Sequence, residues 1–279
     1  MSIVTSQQLT RYFEQYGEEE VTFNRQVISA TGMITRNVYL KVLDQQWPCI
    51  VYSCSMIGAR VIAGVKTTFF DALRHAANHV ALHCSFKLPD KVEPISFFVP
   101  SHAASFMQYN PQNPDVQIVS LEFTQRPSDD LILILGTLLE ANCNSLQRKE
   151  ERIVITEQNI KKLGLESRYA LLAIEGAGHR CIIRDLSFSG TKLLLAGNAA
   201  ALVNGKVSMR IAKGEQAADM VLAGKIVRVE DVEGRQDIHA LGIAYEGEPP
   251  MSYKLMINSF LTTMRKYSKP PPARGNRNA

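Results

Sequence analysis

The chain has 279 residues, 46% of them hydrophobic and 21% charged, which is enough for two domains that each bury a core. Its longest apolar runs, such as residues 131–135, are far too short to cross a bilayer, so a helical membrane protein is excluded. The net charge of +4 is unevenly spread: residues 1–140 hold 10 basic and 13 acidic residues, net −3, and the remainder hold 21 and 14, net +7, so an anionic partner is expected to meet the second half.

The chain opens on a polar segment in place of the basic stretch and apolar run of a secretion signal. Its cysteines (Cys49, Cys54, Cys84, Cys143, Cys181) are odd in number and scattered, without the close pairs of a zinc site or a disulfide framework. A reducing cytoplasm is the expected location. Thr5 with Gln8 makes a capping-box signal, and Leu9, Tyr12, Phe13 and Tyr16 then fall on one helical face. Short strands are expected at 21–23, 38–43, 49–53 and 59–63, a helix over 68–79, and strands again at 80–86, 95–99 and 116–124. Turns are marked at Pro89-Asp90, Asn110-Pro111 and Asn113-Pro114. Residues 129–142 read as a helix with Leu131, Ile134, Leu135, Leu138 and Leu139 on its buried side.

Residues 143–152 are polar and charged and are expected to link two domains, 1–142 and 153–268. The second domain shows short strands at 152–155, 170–175, 180–184, 192–195, 206–211, 221–230 and 239–245, a pattern of barrels or sandwiches. An amphipathic helix over 250–266 closes it, and a tail over 269–279, with Pro270-Pro271-Pro272, is expected to be disordered. The halves repeat. At an offset of 132 residues Cys49-Ile50-Val51 meets Cys181-Ile182-Ile183, Ser55 meets Ser187, Gly58 meets Gly190 and Arg60-Val61-Ile62 meets Lys192-Leu193-Leu194. Two copies of one fold follow, and they differ where chemistry is expected: Asp185 stands where the first copy has Ser53, and Arg184 where it has Tyr52.

Two groups of residues carry that chemistry. Arg148 and Arg152 lie four apart in the linker, and Asp185-x-Ser187-x-x-Gly190 forms a turn between two apolar runs. A guanidinium matches phosphates or the O6/N7 edge of guanine with parallel donors, and a carboxylate accepts from the N1/N2 edge. Ser187 offers a hydroxyl to a phosphate or to the turn, and Gly190 permits positive φ or a close approach to the backbone. Arg184 is a third candidate cation, although regular strand alternation points it away from Asp185. Taken singly, an Arg-x-x-x-Arg pair is most often a solvated linker and an Asp-x-Ser-x-x-Gly turn most often a plain hairpin; their order and separation together carry more.

With 224–229 (Gly-Lys-Ile-Val-Arg-Val) and 241–245 (Leu-Gly-Ile-Ala-Tyr), these motifs over about residues 145–265 resemble the PilZ domain, the bacterial cyclic di-GMP receptor module. A degenerate PilZ-like domain ahead of an intact one is similar to the two-domain PilZ receptors of spirochaetes. The resemblance implies two six-stranded β-barrels in tandem, each with a C-terminal helix, and a non-enzymatic protein without cofactor or metal. It implies that Arg148 and Arg152 fold over cyclic di-GMP while the turn holds a guanine, and that Gln147, just before the arginine pair, bears on how many ligands bind. Ligand binding is then expected to rearrange the domains and act through a downstream protein partner in motility or virulence.

Other sites weigh less. His75, His79 and His83 share one face only if a single helix carries all three, and the run over 80–86 reads equally as a strand. Trp47, Tyr39, Tyr52 and Phe23 suit base stacking but sit in the acidic half, where aromatics on strands are usually core. Lys269, Arg274 and Arg277 of the tail offer weak attraction to nucleic acid or membrane. The alternative function is a nucleic-acid-binding module using the basic second half, which steep salt dependence and indifference to Asp185→Ala would reveal. No Ser-His-acid arrangement is readable around Ser187.

Overall fold

The structure is a computed structural model that describes residues 5–88, 91–147, 150–197, 202–214 and 219–268, without the side chains of 236 and 266–268. Pro89-Asp90, Arg148 and the tail from 269 onward, including Lys269, Arg274, Arg277 and the proline run, lie outside the described residues. The chain divides into two compact units between Glu140 and Ala141. No helix among the described residues is long and apolar enough to cross a membrane.

The first unit holds α1 (Ser6–Gln15), β1 (Val21–Thr22), α2 (Arg25–Thr31), β2 (Tyr39–Val42), β3 (Gln45–Cys54), β4 (Gly58–Gly64), α3 (Thr67–His75), β5 (His79–Phe86), β6 (Ile95–Asn110), β7 (Asn113–Phe123) and most of α4 (Asp129–Gln147). Strands β3, β2, β5, β6, β7 and β4 pair antiparallel in that order, and β4 returns to β3, so six strands close on themselves with β1 added to β3. Closure removes the free edges that would otherwise invite pairing with other chains. Alternate residues fill the interior, as in β4, where Ala59, Val61 and Ala63 are buried. Thr5 caps α1 by accepting from the Gln8 amide. Tyr12 is buried where α4 has Gly136, on which a Cβ would meet the Tyr12 ring, and its hydroxyl donates to Glu140.

The second unit repeats this plan. It holds β8 (Ile153–Val154), α5 (Glu157–Leu163), β9 (Leu165–Ile174), β10 (Ala177–Leu186), β11 (Gly190–Ala196), β12 (Lys206–Lys213), β13 (Met220–Val232), β14 (Arg235–Tyr245) and α6 (Met251–Ser268). Strands β11, β14, β13, β12, β9 and β10 close into the second antiparallel barrel, with β8 added to β10. Leu172, Ile183, Leu193, Met209, Ile211, Ile226 and Leu241 form its core, and Tyr253, Ile257 and Leu261 of α6 join it. The offset of 132 residues maps β3 onto β10 and β4 onto β11 residue by residue. It also maps the left-handed residue Leu43 (φ 51) onto Glu175 (φ 49).

The strands are those expected from alternation, but several elements differ in extent. Helices α2 and α5 were not foreseen, because seven residues are too few to show an amphipathic period. Their signals were local: Asn24 and Thr156 cap them, and Gly32 and Gly164 end them in the left-handed conformation. Helix α4 continues through Gln147 into the expected linker, and Asn144 within that extension is buried and donates to Asn258 at 2.6 Å. Helix α3 stops at His75, with Ala77 and Asn78 at positive φ, and β5 begins at His79. The three histidines therefore belong to two elements, and His83 stacks on Tyr39 with ring centroids 4.3 Å apart.

Candidate functional site

The Asp-x-Ser-x-x-Gly turn joins β10 to β11 and is rigid for reasons internal to it. Ser187 is fully buried, and its Oγ accepts from the Gly190 amide at 3.1 Å and donates to the Gly190 carbonyl at 2.9 Å. A Cβ on Gly190 would sit 2.3 Å from the Ile243 carbonyl oxygen, so the residue is glycine because β14 passes directly against it; its φ is not positive. The freedom that Gly190 supplies is thus spent on barrel closure. Below the turn, the Tyr253 hydroxyl of α6 donates to the Ser187 carbonyl at 2.9 Å and meets the Tyr245 hydroxyl at 3.0 Å. Burial raises the pKa of both phenols, so they remain protonated donors. Phe188 is buried in the same core, so the turn is pinned from beneath.

Asp185 stands on a β-bulge. The register between β10 and β11 shifts between Ile183 and Asp185, which makes Arg184 the extra residue. Ile183 and Leu186 are buried, whereas Arg184 is exposed and the Asp185 side chain is 15% exposed, so two consecutive residues lie off the core. Strict alternation, which sent Arg184 away from Asp185, fails here because the bulge interrupts it.

The carboxylate of Asp185 is held from two sides. Arg152 Nη1 donates to its Oδ1 at 2.8 Å, and the Lys192 amide donates to the same atom at 3.0 Å. Among the described residues both of these hydrogen bonds converge on Oδ1, and a carboxylate accepts more than two. Arg152 lies just before β8, which pairs with β10 so that Val154 faces Asp185. One member of each motif is thereby joined to the other across 33 residues. The Arg152 side chain remains 45% exposed, which limits what this ion pair contributes to stability. Gln147, the last residue of α4, is exposed.

Three charged residues near the turn were not among the expected site residues. Lys192 Nζ donates to Glu230 Oε2 at 2.5 Å and Arg228 Nη1 to Glu230 Oε1 at 2.7 Å, and these two bonds hold the Glu230 carboxyl below its ordinary pKa. Lys192 was visible two residues after Gly190, but nothing linear brings it to a glutamate 38 residues on. In the first unit, the equivalent of Lys192 is Arg60, which pairs with Glu20, and the equivalent of Asp185 is Ser53, whose buried Oγ has no hydrogen-bond partner among the described residues.

Two family models match the chain, one after the other. Residues 7–142 match the model of the PilZN3 domain, and residues 147–261 that of the PilZ domain. Over 267 residues the chain is 39% identical to the cyclic di-GMP binding protein of Treponema denticola, covering 95% of this chain and 85% of that protein. Among solved structures it is similar to the Borreliella burgdorferi PlzA protein in complex with c-di-GMP, at 22% identity and a TM-score of 0.42 over 91% of this chain and 98% of that one. It is also similar to the Bacillus subtilis inhibitor of motility, at 10% identity and a TM-score of 0.31 over 85% and 99%. The chain belongs to the PilZ family, with a PilZN3 domain followed by a PilZ domain.

Proposed function

We propose that the second barrel is a cyclic di-GMP receptor, and that the protein converts ligand binding into a rearrangement of its two units. The observation that carries the reading is the convergence of Arg152 and Asp185 on a turn made rigid by Ser187 and Gly190. A cyclic dinucleotide brings two phosphodiesters and two guanines, and a carboxylate beside a guanidinium offers an acceptor for N1/N2 and donors for phosphate or O6/N7. In this reading Asp185 accepts from a guanine, while Arg152 and Arg148 supply the cations. Exposed Arg184 borders the bound ligand, and Gln147 influences stoichiometry. Ser187 and Gly190 shape the turn. The cyclic di-GMP binding named for the Treponema denticola relative supports the same ligand.

Arg148 and Arg152 follow directly on α4, which crosses the division between the units in sequence. A ligand that recruits both arginines orders the segment next to that helix and shifts the population of interdomain arrangements. A downstream protein partner then reads the new arrangement, in the control of motility or virulence, and no chemical step is catalysed. Calorimetry with cyclic di-GMP, using GTP and cyclic di-AMP as controls, tests the ligand. Tight guanine-selective binding supports the reading; silence from folded, nucleotide-free protein refutes it. Small-angle scattering with and without ligand tests the rearrangement, and superimposable profiles refute that part alone.

A further inference from the structure

A row of residues crosses four strands of the second barrel beside the turn. Asp185 on β10 faces Lys192 on β11, Lys192 faces Gly242 on β14, and Gly242 faces Arg228 on β13. Their sequence neighbours Leu193 and Leu241 are fully buried, which puts Lys192 and Gly242 on the outer face of the barrel. At Gly242 the row has no side chain, and a Cβ there would come within 3.3 Å of the Arg228 Cβ. The glycine leaves a trough between two cations whose strands are roughly 10 Å apart, twice the spacing of neighbouring strands.

Glu230 fills that trough. It lies two residues beyond Arg228 on the same strand, hence on the same face, and gives one carboxylate oxygen to Lys192 Nζ and the other to Arg228 Nη1. Two oxygens of one anion, each on its own cation, is also the arrangement that the two non-bridging oxygens of a phosphodiester adopt. The first barrel is an internal control. The pairing of β4, β7 and β6 puts Arg60, Ser120 and Ser105 in the same row, and in the next row Met107 takes the position of Glu230. The first barrel thus has one cation in this row, and that cation pairs with Glu20. The glycine-floored cation pair accompanies Asp185 and Arg152.

We infer that Lys192 and Arg228 form a second anion subsite beside Asp185, and that Glu230 occupies it as a built-in competitor until a phosphodiester displaces the carboxylate. The inference rests on the cyclic di-GMP reading for the identity of the ligand. The Lys192 amide already holds the Asp185 carboxylate, so a dianion engaged at Asp185 and Arg152 has its second charge next to the trough. While Glu230 is docked, apparent affinity falls by the fraction of molecules in which the trough is open. The pairing therefore sets the ligand concentration at which the receptor responds.

Calorimetry with cyclic di-GMP at about 0.15 M salt tests this on the full chain. Glu230→Gln is expected to tighten binding about three- to tenfold, and Lys192→Met and Arg228→Gln to weaken it about five- to tenfold. Glu233→Gln, an exposed acid on the β13–β14 turn that removes the same charge without touching the trough, is the control and is expected to change little at a Debye length near 8 Å. Equal behaviour of Glu230→Gln and Glu233→Gln, with Lys192→Met and Arg228→Gln binding like the parent, overturns the subsite while leaving the receptor reading intact. If the parent does not bind cyclic di-GMP, the receptor reading has failed. The subsite is then read from the Arg228 side-chain NMR signal during a titration with inorganic pyrophosphate. A shift that is larger in Glu230→Gln supports it, and no shift in either protein overturns it.

Discussion

The two barrels share a turn and differ in what the turn presents. Ser55 and Ser187 make the same bonds: each backbone amide donates to the carbonyl three residues on, and each Oγ accepts from the amide of that glycine. A Cβ on Gly58 would lie 2.6 Å from the Leu121 carbonyl oxygen, and one on Gly190 would lie 2.3 Å from that of Ile243. Serine and glycine are therefore what a barrel of this kind needs in order to close, whether or not it holds a ligand. The residues that vary between the copies are those proposed to meet the ligand: Asp185 against Ser53, Arg152 against Glu20, and the Arg228–Glu230 pair against Ser105 and Met107. Of the five signature residues, Ser187 and Gly190 serve the scaffold, and Arg148, Arg152 and Asp185 are the ones proposed to meet the ligand.

That comparison breaks most sharply at the glycines. Gly58→Ala and Gly190→Ala should each destabilise their own barrel by on the order of 3 kcal/mol, because a rigid carbonyl must move. Chemical denaturation of both variants checks this, and a native-like midpoint for either would show that the approach is less tight than described. Arg152→Ala and Asp185→Ala should separate folding from binding. Each should lose about 1–3 kcal/mol of ligand binding, roughly ten- to a hundredfold in affinity, with little change in melting temperature. Calorimetry beside thermal melting reads both, and an Arg148→Ala/Arg152→Ala double variant that binds like the parent would remove the arginines from the site.

Smaller effects sharpen the contrast between the hydroxyls. Ser187→Ala should cost about 1–2 kcal/mol, since the buried Gly190 amide loses its acceptor while the Gly190 carbonyl keeps only the Ser187 amide. Ser53→Ala should be neutral or stabilise by about 0.5–1 kcal/mol, because the buried Ser53 hydroxyl has no partner to lose among the described residues. Urea denaturation of the pair measures the difference, and an equal loss at both positions would mean that Ser53 is bonded in solution. Tyr253→Phe should cost about 1 kcal/mol through its bond to the Ser187 carbonyl, and should loosen the turn enough to weaken ligand binding by less than Asp185→Ala does.

Much of this was legible in the linear chain. Alternating apolar residues located every strand core, the capping signal at Thr5 located α1, and the 132-residue repeat announced two copies of one fold. These features are local or periodic, and a chain must display them in order to bury one face of each strand. Arg152, Asp185, Ser187 and Gly190 were also visible, because each motif is a short run of neighbouring residues.

Tertiary structure decided what each residue is for. Strand pairing brought Arg152 to Asp185, and the bulge at Arg184 moved it off the alternating pattern. Closure of β11 against β14 turned Gly190 into a packing requirement, and α6 delivered Tyr253 to the turn. The row from Asp185 through Lys192 and Gly242 to Arg228 draws on strands up to 57 positions apart in sequence order. Side-chain spacing within a strand is written in the sequence, but registry between strands is set by the hydrogen-bond ladder and by barrel closure. Neither exists until distant segments meet.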